Sequence, residues 1–247
     1  MTGWFTEDFT LAELKTLRAR ERVPGLRPAN TAFDGQFEVP TFAEVIALAK
    51  RATAETGRTI GVYPETKHPT YFAALGLGTD LPLLEALREA GWDSADAPVF
   101  IQSFEVENLK WLAQRTSVRL IQLMDGEGGP ADGAAPSYVA MASPEGLRRI
   151  AGYAYGIGPN KSQLFAGATP TALVADAHAA GLHVHPWTYR AENQFLAKPF
   201  RSRNDLTVHG DLAAEIAAAL RLGIDGFFTD YPAMGVAARD QWTKEQL

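Results

Sequence analysis

The stretch "APVFIQSFEVENLKWLAQRTSVRLIQLM", residues 97–124, decides the fold class. Its ends, "APVFIQSF" and "VRLIQLM", are short apolar runs of strand character, and the "EVENLKWLAQR" between them carries helical periodicity. A strand that returns through a helix lies parallel to the first, so the unit calls for a parallel sheet with helical crossovers.

The same unit repeats on both sides. Upstream, "FTLAELKTLRAR" and "PTFAEVIALAKRA" open with Thr10 and Glu13 and with Thr41 and Glu44, pairs whose spacing lets each satisfy two orphan helix amides. They predict two helices. The strand "TIGVYPE" and the helix "DLPLLEALREAG" then lead into residue 97. Downstream, a Gly/Pro/Ala loop precedes the helix "SPEGLRRIAGYA", where Ser143 suits the cap and Pro144 the first helical position. Strand "YGIGPN", helix "TPTALVADAHAAG", strand "LHVHPWTYR", helix "GDLAAEIAAALRLG" and strand "DGFFTD" complete the series.

An alternating chain forms either a doubly wound sheet or a (β/α)8 barrel. Glu65, Lys67, Gln102, Ser103, His185, Trp187 and Asp230 fall at or just beyond the C-terminal ends of strands, where a barrel builds its site. No strand leads into a Gly-x-Gly-x-x-Gly turn, which leaves a dinucleotide fold without support. The expectation is a TIM-type barrel, as one domain over 1–247, with two strands short of a full set.

Composition limits the function. The 247 residues are 46% hydrophobic, enough for a large core, and a net charge of −6 without basic runs argues against nucleic acid or anionic membrane as partner. With no cysteine, thiolate metal sites and cysteine nucleophiles are excluded. No apolar run reaches the length of a membrane span, and the start "MTGWFTEDFT" does not read as a signal peptide.

"YPETK", "VFIQSFEVENLKWL", "VHPWTYRAENQFL" and "GIDGFFTDYP", in this order and spacing, resemble the glycerophosphodiester phosphodiesterase family, and "GWFTEDFTLAELKTLRA" with "FDGQFEVPTFAEVIALA" resembles the segment after its second strand in the longer, often exported bacterial branch. On this reading the chain corresponds to strands three to eight, and residues 1–40 to the insertion segment. The family's opening His-Arg-Gly, Glu-x-Asp and His-Asp motifs have no counterpart before Trp4.

The resemblance implies a metal-dependent hydrolase that converts glycerophosphodiesters to glycerol 3-phosphate and an alcohol. It assigns Glu65 to a divalent cation, Ca2+ or Mg2+, Lys67 to the phosphate, and Trp187 to the substrate pocket, and Phe104 is a candidate pocket wall beside it. Arg190, on the strand of Trp187, is a candidate anion contact on general arginine–phosphate chemistry. Each has an ordinary structural reading as well: an exposed ion pair for Glu65 and Lys67, packing for Phe104 and Trp187, a turn residue for Asp230. His185 reads as a hydrogen-bonded structural histidine, and His68 would point away from Lys67 if the strand persisted. Because the cation's other acidic ligands and the acid–base histidines belong to the motifs without a counterpart, a second reading stands beside hydrolysis: a non-catalytic phosphate-binding or interaction protein. On either reading, open barrel edges would favour a homo-oligomer.

Overall fold

The computed structural model describes residues 3–246, and the chain packs as two compact units, 1–58 and 59–247. In the first unit, α1 (Leu11–Leu14) and α2 (Phe42–Thr56) begin at the two expected capping boxes: the Thr10 and Thr41 hydroxyls accept from the amides of Glu13 and Glu44, whose carboxylates accept in return from the threonine amides. α1 is far shorter than the sequence pattern suggests. The Thr16 hydroxyl donates to the Glu13 carbonyl, Arg18 bridges to Glu38, and the Ala19 amide donates to the Phe37 carbonyl, so the chain leaves the helix for a return segment. α2 ends at Gly57, whose φ of 68° is the left-handed cap glycine accepts without strain.

The second unit runs α3 (Pro69–Ala74), α4 (Asp80–Glu89), β1 (Phe100–Ser103), α5 (Val106–Ala113), β2 (Arg119–Met124), α6 (Tyr138–Met141), α7 (Pro144–Ile150), β3 (Gly156–Pro159), a small hairpin of β4 (Phe165–Ala166) and β5 (Thr169–Pro170), α8 (Leu173–Ala179), β6 (His183–Val184), α9 (Leu212–Arg221) and α10 (Pro232–Glu245). β1, β2, β3 and β6 form one parallel sheet in that order. Single parallel bridges extend it on both sides. Val62 and Glu65 pair with Val99 and Gln102, and Tyr189 pairs with Thr229. The six rows are the six expected strands, and they describe an incomplete (β/α)8 barrel rather than a closed one.

The outer face of the sheet is covered by helices. Leu109 and Leu112 of α5, Leu147 and Ile150 of α7, Leu173 and Val174 of α8, and Leu212 and Ile216 of α9 are buried. Each fully buried aliphatic side chain contributes roughly 1.5–3 kcal/mol relative to exposure. The glycines of β3 let neighbours approach closely: a Cβ on Gly156 would lie 2.5 Å from the His183 carbonyl oxygen, and one on Gly158 2.6 Å from Leu123 Cδ2. Ser143 caps α7 by accepting from the Gly146 amide, as its sequence suggests.

Candidate active site

The row before β1 ends in Glu65-Thr66-Lys67, and strand alternation separates the three. Thr66 turns toward the helices, where its hydroxyl donates to Asn108 Oδ1 at 2.7 Å, and Asn108 Nδ2 donates to Asp80 at 2.7 Å. Glu65 and Lys67 face the other way and meet at 3.4 Å. Glu65 is 20% exposed and Lys67 72%, so the carboxylate is the more enclosed of the two and the ammonium is largely in solvent. The turn that follows is tied down by the buried carboxylate of Glu105, which accepts from the Thr70 amide at 3.1 Å and from the Thr70 hydroxyl.

His68 departs from expectation. The strand ends at Thr66, and His68 takes a positive φ of 47°, which places it on the same chamber wall as Glu65 and Lys67. That chamber, of about 330 Å³, also has Phe104, Asp125 and Tyr138 in its walls. Neither Asp125 nor Tyr138 was singled out from the sequence. Asp125 directly follows β2, and the same strand-end logic that marks Glu65 reaches it. One oxygen of Asp125 is already committed: Oδ1 accepts from Asn160 Nδ2 at 2.9 Å and from the Gly126 amide at 2.7 Å.

A neighbouring space of about 270 Å³ is shared by Glu65, Lys67, Phe104 and Trp187. Trp187 is held by its indole N–H, which donates to the Gly158 carbonyl at 2.8 Å, and its ring lies edge-on to Phe104 at 5.7 Å. The structure thus brings together four of the five residues the sequence proposed. The fifth, Arg190, stands on the far side of Trp187 in a larger chamber of about 620 Å³. Its Nε donates to Asp230 at 2.7 Å, and its guanidinium covers the Phe195 ring at 4.9 Å. Asp230 therefore orients Arg190. Lys161, which the sequence reading passed over, pairs in the same chamber with Glu215 at 2.6 Å; burial pushes its ammonium pKa down against the opposing pull of that carboxylate.

His185 lies in none of these chamber walls. Its Nδ1 meets the Tyr63 hydroxyl at 2.9 Å and its ring stands edge-on to Phe100, while burial lowers its pKa to about 4. It is a core histidine. Ser103 is likewise structural, donating to the Thr66 carbonyl and accepting from the Glu105 amide.

The sequence matches the model of the glycerophosphoryl diester phosphodiesterase family over residues 2–234. The chain belongs to that family. Among its relatives, a glycerophosphodiester phosphodiesterase of Arabidopsis thaliana is 35% identical over 94% of this chain, which spans 63% of the relative's length. One from Haemophilus influenzae is 25% identical over 94% of the chain and 69% of its own. A solved structure from Silicibacter pomeroyi superposes with a TM-score of 0.68 at 18% identity, covering 100% of this chain and 72% of that one. The glycerophosphodiester phosphodiesterase of Parabacteroides distasonis gives 0.57 at 15% identity, over 96% and 72%. At these identities the structures establish the barrel fold and nothing finer.

A hard divalent cation takes six or more oxygen ligands, or fewer with several waters. Glu65 is a suitable donor in kind, but among the described residues no three acidic or histidine side chains converge as a metal set. Residues 3–246 do not by themselves complete the cation site that the resemblance implies.

Proposed function

We propose that residues 59–247 form the phosphate and alcohol side of a glycerophosphodiester phosphodiesterase site. The reaction is hydrolysis: an O–P bond forms from water, the P–O bond to the alcohol breaks, and the alcohol leaves with a proton while glycerol 3-phosphate remains. The observation that carries the reading is the meeting of Glu65 and Lys67 beside Phe104 and Trp187.

In the resting protein the Lys67 ammonium is paired with Glu65, and a phosphoryl group that enters offers it a stronger partner. As the transition state gathers charge on the phosphoryl oxygens, that ammonium meets it. Trp187 and Phe104 supply apolar walls against which a glycerol carbon backbone packs. Glu65 would give one oxygen to a divalent cation, Ca2+ or Mg2+. In the same reading, residues 1–40 correspond to the family's insertion segment, and the outer side of the 62–65 row, which pairs with no strand among the described residues, is a face for further strands or a second copy.

The test is binding of sn-glycerol 3-phosphate to the 247-residue chain by calorimetry, with Lys67→Ala and Trp187→Ala alongside. Binding that both substitutions weaken supports the reading. Binding indifferent to both, or none at millimolar ligand, overturns it.

A further inference from the structure

The 620 Å³ chamber beyond Trp187 is the largest of those described, lies within the range of about 300–1,000 Å³ of small-molecule sites, and has no role in the account above beyond Trp187 itself. It shares Trp187 and Thr188 with the space around Glu65 and Lys67, so a diester whose phosphoryl group meets Lys67 has this chamber next to it across one indole. Resting on the proposed reaction, we infer that it receives the alcohol half of the diester and is built for an uncharged or anionic polyol, not for an ammonium alcohol.

The charge in the wall carries the inference, and two occupied aromatic faces add to it. Three cations stand in the chamber wall: Lys161, Arg190 and Arg201. Glu215 is the acid in that wall, and both its oxygens are engaged, one by Lys161 and the other by the Ala197 amide at 2.8 Å. Arg190 is met by Asp230. Arg201 donates its Nε to the Leu196 carbonyl at 3.0 Å and has no carboxylate partner among the described residues. The wall therefore carries an excess of positive charge that a bound ammonium would oppose and a hydroxyl or anion would accept.

Aromatic rings are the usual alternative means of holding a quaternary ammonium. Of the five aromatic side chains in the wall, Phe165, Trp187, Tyr189, Phe195 and Phe200, two are occupied from within: Lys161 Nζ lies 5.2 Å from the centre of the Tyr189 ring, and the Arg190 guanidinium 4.9 Å from that of Phe195. At those two rings a choline group would face a cation already in place, which leaves the charge of Arg201, without a carboxylate partner among the described residues, to decide against it. Hydroxyls would find instead the Ser162 and Gln194 side chains and the guanidinium of Arg201.

The test measures dissociation constants of the 247-residue chain for sn-glycerol 3-phosphate, glycerophosphoinositol and glycerophosphocholine, with Arg201→Gln and Arg201→Lys. The expected result is glycerophosphoinositol bound about tenfold more tightly than glycerophosphocholine, on the scale of one charge-assisted hydrogen bond. That ratio should shrink toward unity in Arg201→Gln and persist in Arg201→Lys. Equal or tighter binding of glycerophosphocholine, or a ratio unmoved in a folded Arg201→Gln, overturns the inference. Should Arg201→Gln not fold, the ratio in the parent chain decides alone. Failure of all three ligands, sn-glycerol 3-phosphate included, instead removes the phosphodiester reading on which this one rests.

Discussion

On one side of Trp187, Lys67 keeps 72% of its side chain in solvent and touches Glu65 at 3.4 Å; on the other, Lys161 is 16% exposed and is held by Glu215, itself 7% exposed, at 2.6 Å. In both the lysine follows the C-terminal end of a barrel strand, but Glu65 lies on the same strand row as Lys67 whereas Glu215 comes from α9. Their surroundings give them different work. An exposed pair is worth about 0–1 kcal/mol, so a phosphate displaces it at little cost. A buried pair is neither cheap to break nor open to a ligand, because removing one partner strands a desolvated charge. The small chamber holds its pair ready for chemistry, and the large one uses its buried pair to fix a shape.

Turnover is where the contrast has its largest expected effect. Of the three carboxylates in the small chamber, Asp125 and Glu105 each have one oxygen held by structural hydrogen bonds, and no three acidic or histidine ligands converge among the described residues. General acid–base help contributes typically ~10²–10⁴ in rate, and a positioned metal adds to it. Residues 1–247 on their own should therefore hydrolyse glycerophosphocholine or an aryl phosphodiester far below the ~1–10³ s⁻¹ of ordinary enzymes, with or without millimolar Ca2+ or Mg2+. A normal turnover number from the pure chain would show that groups such as His68 and Asp125 complete the site.

Stability should separate the two pairs next. Glu215→Ala leaves Lys161 buried without its carboxylate and the Ala197 amide without its acceptor, for a loss of about 3–5 kcal/mol. Glu65→Ala should change stability by no more than about 1 kcal/mol. Urea denaturation of both variants measures the difference, and comparable losses would erase the distinction drawn between the chambers.

A third expectation concerns the core beneath the site. The folded-state pKa of His185, about 4, lies below the ordinary 6.5 because burial disfavours the imidazolium. Above pH 6.5 the ring is neutral in both folded and unfolded chains, and its full contribution is present. As pH falls from 6.5 toward 4 the unfolded chain takes up the proton first, so stability drops, by up to about 3 kcal/mol, and the decline from this residue ends below the folded pKa. In His185→Gln, which can still meet the Tyr63 hydroxyl, denaturation curves at pH 7 and pH 4.5 should lie closer together than in the parent chain.

Much of this architecture was legible in the sequence because it follows from local pattern. The alternation around residues 97–124 yields the six parallel rows, and Thr10, Thr41 and Ser143 mark their helix starts by cap chemistry alone. Glu65, Lys67, Phe104 and Trp187 were found because motif order identifies strand ends. What escaped depends on contacts between distant residues. α1 stops where Arg18 reaches Glu38; His68 joins the chamber because the backbone turns left-handed after Lys67. The partner of Lys161 lies on α9, 54 positions away. That the Arg190 Nε meets Asp230 depends on a contact across 40 positions of sequence.

The smallest expected effect isolates the exposed pair. Lys67→Met removes the ammonium but keeps an unbranched stem of similar reach, and with 72% of the native side chain in solvent the change in unfolding free energy should stay within about 0.5 kcal/mol. Affinity for sn-glycerol 3-phosphate should nonetheless fall about tenfold, the scale of one charge-assisted hydrogen bond to phosphate. Raising salt should narrow the gap between parent and variant, because a solvent-exposed charge is screened within a Debye length of about 10 Å at 0.1 M. Lys161→Met supplies the opposite pattern: Glu215 is left as the stranded charge, so stability falls first and any change in affinity follows from altered packing. If instead Lys67→Met destabilised the fold as much as Lys161→Met while leaving phosphate binding intact, Lys67 would be a structural residue, and the small chamber would lose its cation for phosphate.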